Sequence, residues 1–262
     1  MKPNIYMFHR ICFDELQSIN PYYAQRGMVL SIHQLTILIK GLLMRGLVFG
    51  SIPQTLKSKN HFHLSFDDGF KEHLYVAKLL IEKFNAPKYG VSFSINVGNS
   101  ILGQHTGMDL FYTILKYDKM AKLGTFLQKD LQNNSIDEIK ECVASLKPKE
   151  LVTLSNHFAE LHSYLKPIFL NEEEIKELSD LFTISSHGIT HRFLTCHEEQ
   201  SKEEIIRSKK ILEDLCGSNI ETFCYPEGKN TAFLREQCKQ AGYSNALSIR
   251  HKEHNLFCIG RQ

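Results

Sequence analysis

Two clusters of side chains have the composition of a reactive site. Phe66-Asp67-Asp68-Gly69 ends the apolar run Phe62, Leu64, Phe66 with adjacent carboxylates, and Ser186-His187-Gly188-Ile189-Thr190-His191, about 120 residues on, follows another short apolar run. One carboxylate and two imidazoles make a ligand set for a divalent metal with an open coordination position, which leaves the second carboxylate to act as a base. A metal so held lowers the pKa of bound water from near 15.7 toward about 7 and polarises a carbonyl oxygen, while the spare aspartate takes the proton of the attacking water. That is the outline of a hydrolase. Each cluster has a plainer reading: Asp67-Asp68-Gly69 as a turn whose aspartates cap a helix beginning at Phe70, and His187-x-x-x-His191 as a helix N-terminus or a surface pair. A spacing of four places two imidazoles on one side of a helical turn, and the occurrence of both clusters at the ends of different strands favours the metal.

The elements that must hold these residues alternate. Residues 4–8 read as a strand, and Ser31-x-x-Gln34 as a capping box opening a helix with Leu35, Leu38, Ile39, Leu42 and Leu43 on one face and Gly46 as its stop. Residues 61–66 alternate as a strand, 70–84 follow as a helix, and 90–95 are strand again. Over 108–181 the pattern becomes helical segments, the last capped by Asn171 before Glu172-Glu173-Glu174, and this stretch reads as a helical insertion of about 105–180. Alternation then resumes with strand 182–185, a Ser201-x-x-Glu204 capping box opening a helix that stops at Gly217, strand 220–225, helix 231–241 and strand 243–248. Strands alternating with helices imply a largely parallel sheet. His9, Asp67-Asp68, Asn96, His187 and the Tyr225-Pro226-Glu227-Gly228 turn each follow a strand, which favours a barrel with its chemistry on the C-terminal rim. A single domain over 1–262 is expected.

Composition narrows the partners. With 42% hydrophobic residues in 262, the chain can bury a sizeable core, and 31 basic against 29 acidic residues, without a basic run, exclude nucleic acid. The greasiest segment, 35–49, is broken by Lys40 and Arg45 and is too short to span a bilayer, which leaves only peripheral membrane contact open. The N-terminal residues lack the pattern of a secretory signal, so a cytoplasmic location is expected. Seven cysteines without a Cys-x-x-Cys pair point to buried reduced thiols.

Ser65-Phe66-Asp67-Asp68-Gly69 and Ser186-His187-Gly188-Ile189-Thr190-His191 together resemble the first two motifs of the polysaccharide deacetylase family, carbohydrate esterase family 4 with the NodB-like fold. Phe223-Cys224-Tyr225-Pro226-Glu227-Gly228 is similar to the third, in the form Phe-Ala-Tyr-Pro-Tyr-Gly, and Tyr6-Met7-Phe8-His9-Arg10-Ile11 resembles the Tyr-His-Arg-Val stretch that begins many members. The resemblance implies an irregular (β/α) barrel of about seven parallel strands. It implies Asp67 as general base, Asp68, His187 and His191 as ligands of one divalent metal, usually zinc, and an N-acetylated sugar as substrate. A peptide N–H near Glu227, in the Tyr225-Pro226-Glu227 turn, would help hold the oxyanion. Acetate and a free amine would leave.

The chain departs from the family in three places. Cys224 stands where many members carry an arginine that orients the catalytic aspartate; Arg261 is a candidate substitute, although its place at the chain's end reads as surface. Glu227 replaces a tyrosine and puts a carboxylate beside the pocket, either to favour a cationic substrate or simply solvated. No late motif supplies a histidine for the leaving amine, so His9, His251 and His254 are candidates, each with a structural or surface alternative. With no tryptophan for ring stacking, the expected substrate is a nucleotide-linked or lipid-linked amino sugar, or an oligosaccharide, rather than a long polymer. Two rival readings are a hydrolase of another amide, such as a formyl group or a non-sugar acetamide, and an inactive glycan-binding relative.

Overall fold

The computed structural model describes residues 3–13, 19–249 and 255–262. Its main sheet runs through seven strands in chain order, all pairing in parallel: β1 (Ile5–Phe8), β2 (His61–Phe66), β3 (Val91–Ile95), β4 (Thr183–Ser186), β5 (Thr222–Cys224), β6 (Asn245–Ile249) and β7 (Ile259–Arg261). The short strand Val48–Phe49 flanks the start of β2. Between the two edges the Met7 N–H donates to Gln262 O and the Gln262 N–H to Ile5 O, both at 2.8 Å, so the sheet is nearly closed into a barrel.

The strand sequences explain how a barrel this small is filled. Phe62, Leu64 and Phe66 on β2, with Val91, Phe93 and Ile95 on β3, pack outward with Leu35, Ile39, Ala77 and Leu80 of the surrounding helices. The alternate positions are small or polar and bond among themselves: His63 Nε2 to Ser92 Oγ at 2.9 Å, and Ser94 Oγ to Cys224 Sγ at 2.9 Å. Bulky side chains therefore carry the helix layer, while hydroxyls leave room inside the barrel for a guanidinium.

The helix α1 (Ile32–Met44) begins at the expected Ser31–Gln34 capping box. The next, α2 (His73–Phe84), starts three residues later than the periodicity of 70–84 predicts. Phe70 instead forms an antiparallel bridge with Phe169, and the Lys71 N–H donates to Ile168 O at 2.8 Å, so the turn after β2 is tied to the insertion and its aspartates cap no helix. The insertion comprises α3 (Gly107–Lys116), α4 (Met120–Leu127), α5 (Ile136–Ala144), α6 (Pro148–His157) and short turns, with its own core of residues such as Phe111, Leu123, Val143 and Phe158. It ends earlier than expected. The Asn171-capped helix α7 (Glu172–Leu181) buries Ile175 and Leu178 in the barrel's helix layer and is the crossover into β4.

The Ser201–Glu204 capping box does not exist. Helix α8 (Glu198–Cys216) starts earlier and carries both residues inside it, where buried Arg192 takes both as partners. Helix α9 (Ala232–Gln240) begins at Thr231 as read. Strand β7, and the pair Arg10–Cys12 with Val29–Ser31, were not legible in the sequence. Among the described residues no helix is long and apolar enough to cross a membrane. Cys224, Cys238 and Cys258 are buried, while the other four cysteines are only half-buried.

Candidate metal centre

The turn after β2 is what presents the two carboxylates. The Asp67 N–H donates to Phe8 O at 2.9 Å, prolonging the ladder with β1 by one step, and then Asp68 and Gly69 both turn left-handed at φ 79° and 74°. For a residue with a side chain that conformation costs about 1–3 kcal/mol. It is held by the bond from the Leu170 N–H to Gly69 O at 2.9 Å. Asp67 and Asp68 thereby point to different neighbours.

Asp68 faces the imidazoles. Its Oδ1 lies 3.2 Å from Nε2 of His187 and 3.2 Å from Nε2 of His191, and the three side chains are all buried. Among the described residues this is the one trio of such side chains whose ligand atoms converge, all within 4.8 Å of one another. Neither Asp68 oxygen accepts a hydrogen bond, an arrangement that is costly for a buried carboxylate unless a cation completes it. His187 Nδ1 lies 2.8 Å from the Cys224 carbonyl oxygen, which can only accept, so Nδ1 carries the proton and Nε2 offers its lone pair toward Asp68. His191 Nδ1 lies 3.6 Å from Asp109 Oδ2. Burial pushes the Asp68 carboxyl up, but His191, His187 and His9 outweigh it and hold it well below the usual range. Burial likewise works against the His191 imidazolium, yet Asp68 and Asp109 raise it to about 9. A donor set of this kind fits a divalent metal ion.

The loop that carries the histidines is not the helical turn suggested by their spacing. Residues 187–191 are irregular, with Gly188 at φ 74° and His191 at φ 50°. Glu204, from α8, accepts from the Thr190 N–H at 2.9 Å, the Ile189 N–H at 3.3 Å and the Thr190 hydroxyl at 2.8 Å, and pairs with Arg192 Nε at 2.8 Å. The loop also packs against two glycines: a Cβ at Gly98 would lie 2.1 Å from Ile189 O, and one at Gly107 2.6 Å from Thr190 O. Both close approaches require glycine.

Asp67 is held from the last strand, across β1. Arg261, on β7, is 1% exposed, not on the surface. Its Nη1 donates to Asp67 Oδ1 at 2.6 Å and to Ser65 Oγ at 2.9 Å, while Nε donates to Ser248 O at 3.3 Å. Burial alone would raise the Asp67 pKa, but the guanidinium, together with His187 and His9, outweighs it and holds the carboxyl below its ordinary range. Cys224 lies alongside, its thiol pushed up to about 12 by burial and thus neutral.

A cavity of about 250 Å³ opens beside these groups, lined among others by His9, Arg26, Tyr112, Lys140, His191 and Glu227. Glu227, at φ 54°, is not freely solvated: it lines the cavity, and Lys140 Nζ of α5 meets its Oε2 at 2.7 Å. Burial raises the Glu227 carboxyl, and Lys140 more than reverses it. The Tyr225 hydroxyl donates to Phe257 O at 3.1 Å inside the core, while the residue also lines the cavity, and Pro226 is buried beside it. Asn96 caps the short helix Val97–Ser100. His9 stands on the cavity wall, and its carbonyl oxygen accepts from His73 Nε2 at 2.7 Å. His251 and His254 lie outside the described residues. Sequence reasoning missed Asp109, Tyr112 and Lys140, all from the insertion. The signal for Asp109 was an acid within the apolar run Met108, Leu110, Phe111.

Residues 105–246 match the family model for polysaccharide deacetylase, a range that includes His187, His191 and the Glu227 turn but begins after Asp67 and Asp68. No curated protein matches the chain by sequence. Among solved structures, the Streptococcus pyogenes deacetylase PplD in complex with acetate is similar, at TM-score 0.63 and 13% identity, covering 100% of this chain and 91% of that one. IcaB from Ammonifex degensii has TM-score 0.60 and 13% identity over 100% of this chain and 91% of its own. A polysaccharide deacetylase from Bacillus cereus has TM-score 0.60 and 17% identity over 100% of this chain, which spans 64% of that larger one.

Proposed function

The chain belongs to the polysaccharide deacetylase family, and from that premise we propose that it is a zinc-dependent hydrolase that removes the N-acetyl group of an amino sugar, releasing acetate and a free amine. The observation that carries this reading is the convergence of Asp68, His187 and His191 beside an Asp67 clamped by a buried arginine.

Asp68, His187 and His191 would hold the ion. Bound there, zinc supplies a Lewis acid for the acetamide carbonyl and lowers the pKa of a water ligand. Asp67 accepts the proton of the attacking water. Arg261 keeps that carboxylate ionised and aimed, through the 2.6 Å bond to the oxygen Oδ1. In the turn after β5 the Tyr225 N–H is spent on Leu247 O, Pro226 has none and the Gly228 N–H is spent on Tyr225 O, so the Glu227 N–H is the donor this turn can offer to the developing oxyanion. Of the three histidines considered for the leaving amine, His9 stands on the cavity wall and is assigned that proton.

The whole chain acts as one catalytic unit, since Lys140 and Tyr112 of the insertion line the same cavity as the barrel residues. At about 250 Å³ the cavity is below the usual range of ligand pockets, about 300–1,000 Å³, which supports one sugar ring with its acetamide rather than a run of polymer. A nucleotide-linked or lipid-linked amino sugar, handled in the cytoplasm, would place only its ring and acetamide there, with the rest of the molecule outside. The test is acetate release from a panel of N-acetylated sugars, their nucleotide-linked forms, short oligosaccharides and N-formyl analogues, with bound zinc counted. Asp67→Asn should keep zinc and lose turnover by a factor of about a hundred or more, and His187→Ala should lose both. Normal turnover by Asp67→Asn would reject the base assignment; zinc bound without release from any substrate would favour a glycan-binding relative.

A further inference from the structure

The insertion reaches the metal centre through one buried acid. Asp109, on α3, is 1% exposed among buried Met108, Leu110, Phe111 and Tyr112, a place where a carboxylate is expensive to keep. Two neutral groups fix its orientation: the Tyr23 hydroxyl donates to Oδ1 at 2.5 Å and Asn99 Nδ2 to Oδ2 at 2.9 Å. An amide of the same size has one acceptor oxygen and could take only one of these bonds at its present place. The acid takes both and adds charge, and Oδ2 lies 3.6 Å from Nδ1 of His191, the distance of an ion pair rather than a hydrogen bond.

We infer that Asp109 is a positioning residue for the metal: its carboxylate holds the His191 proton on Nδ1, so that Nε2 presents its lone pair beside Asp68. The two histidines then use different devices for the same end. His187 is set by the Cys224 carbonyl oxygen at 2.8 Å, whereas His191 has no such hydrogen bond at Nδ1 and relies on the charge facing it. The backbone supports this placement, because Gly107, two residues before Asp109, packs so tightly that a Cβ there would lie 2.7 Å from His191 O. The insertion is thereby part of the centre and not only a cover over it. This inference rests on the reading of Asp68, His187 and His191 as zinc ligands.

The test is zinc affinity of the full chain, measured by competition with a chromophoric chelator for wild type, Asp109→Asn and Tyr23→Phe, beside the melting temperature of each metal-free protein. Asp109→Asn should bind zinc about 10–100-fold more weakly, the usual weight of a partner behind a ligating histidine, while Tyr23→Phe, which keeps the charge, should lose far less. Equal zinc affinity of wild type and a folded Asp109→Asn would overturn the role of Asp109 and leave the metal reading standing. No zinc bound by wild type would overturn both. A wild-type measurement does not depend on the variants folding: nitrogen-15 histidine spectra of the zinc-loaded protein should show the His191 proton on Nδ1, and ligation through Nδ1 would refute the inference.

Discussion

Replacing Arg261 with methionine tests whether the Asp67 carboxylate is held by a buried charge or merely lies near one. The pair is sealed, with both side chains at most 2% exposed and 2.6 Å between Nη1 and Oδ1. Removing one partner leaves the other buried and ionised, and breaking such pairs costs about 3–5 kcal/mol. For a chain of this size about 2–4 °C of melting temperature accompanies each kcal/mol, so Arg261→Met should melt about 6–20 °C lower when both proteins are free of metal. Asp67→Asn should also be destabilised, since it strands the guanidinium. The double variant removes both charges and should recover most of the loss, giving a coupling of several kcal/mol in a double-mutant cycle. The pH dependence has a defined sign. In the native protein the Asp67 pKa is depressed below 3.8, so its contribution is complete above 3.8 and is lost as pH falls through the folded value. In Arg261→Met burial acts without its largest counterweight and the carboxyl rises relative to the native protein, so the gap between the two proteins should narrow as pH falls. Thermal unfolding from pH 4 to 8 is the assay. A loss under about 1 kcal/mol, or a double variant as unstable as the sum of the singles, would refute the argument.

Two further perturbations use the same reasoning elsewhere. Lys140→Met strands a largely buried Glu227 and should cost about 1–3 kcal/mol in urea unfolding, with most of it restored by adding Glu227→Gln; no restoration would mean that Lys140 acts by packing alone. Gly98→Ala places a Cβ 2.1 Å from Ile189 O and should displace the histidine loop, lowering zinc affinity together with stability. The same change at Gly41, in α1 with nothing within 4 Å, should instead stabilise by about 0.4–1 kcal/mol, so equal effects at the two sites would contradict the packing described.

The barrel was legible wherever a strand had both an apolar face and enough length to show it. His61–Phe66 and Val91–Ile95 alternate over six and five residues, and their outward aromatics gave them away. Ile259–Arg261 offers three residues, one of them glycine and one a buried charge, so no periodicity exists to be read; its place is set by pairing with β6. The helix starts failed for a different reason. Ser201 and Glu204 have the spacing of a capping box, but side chains that cap in isolation are available to stronger partners once folded, and the Arg192 guanidinium together with the Thr190 backbone took them. At Phe70 the helix pattern was real, but the backbone there is bridged to Phe169 instead.

The site divides along the same line. Asp68, His187 and His191 could be named in advance because adjacent residue types announced them, although the argument that brought the histidines together was wrong. A helix would have aligned their side chains by periodicity; here two left-handed residues, Gly188 and His191, bend the loop so that both Nε2 atoms reach one carboxylate oxygen at 3.2 Å. Spacing was a sound guide to shared chemistry and a poor one to backbone shape. The residues that orient Asp67 and Glu227 carry no such motif. Arg261 is 194 positions from Asp67, and Lys140 is 87 from Glu227, so each contact exists only because barrel closure and insertion packing bring remote chain together. Sequence can reveal side chains that converge on one point when they come in motifs. The charges that orient their neighbours can come from any direction in space: Arg261 could be named only as a candidate that read as surface, and Lys140 became visible only with the fold.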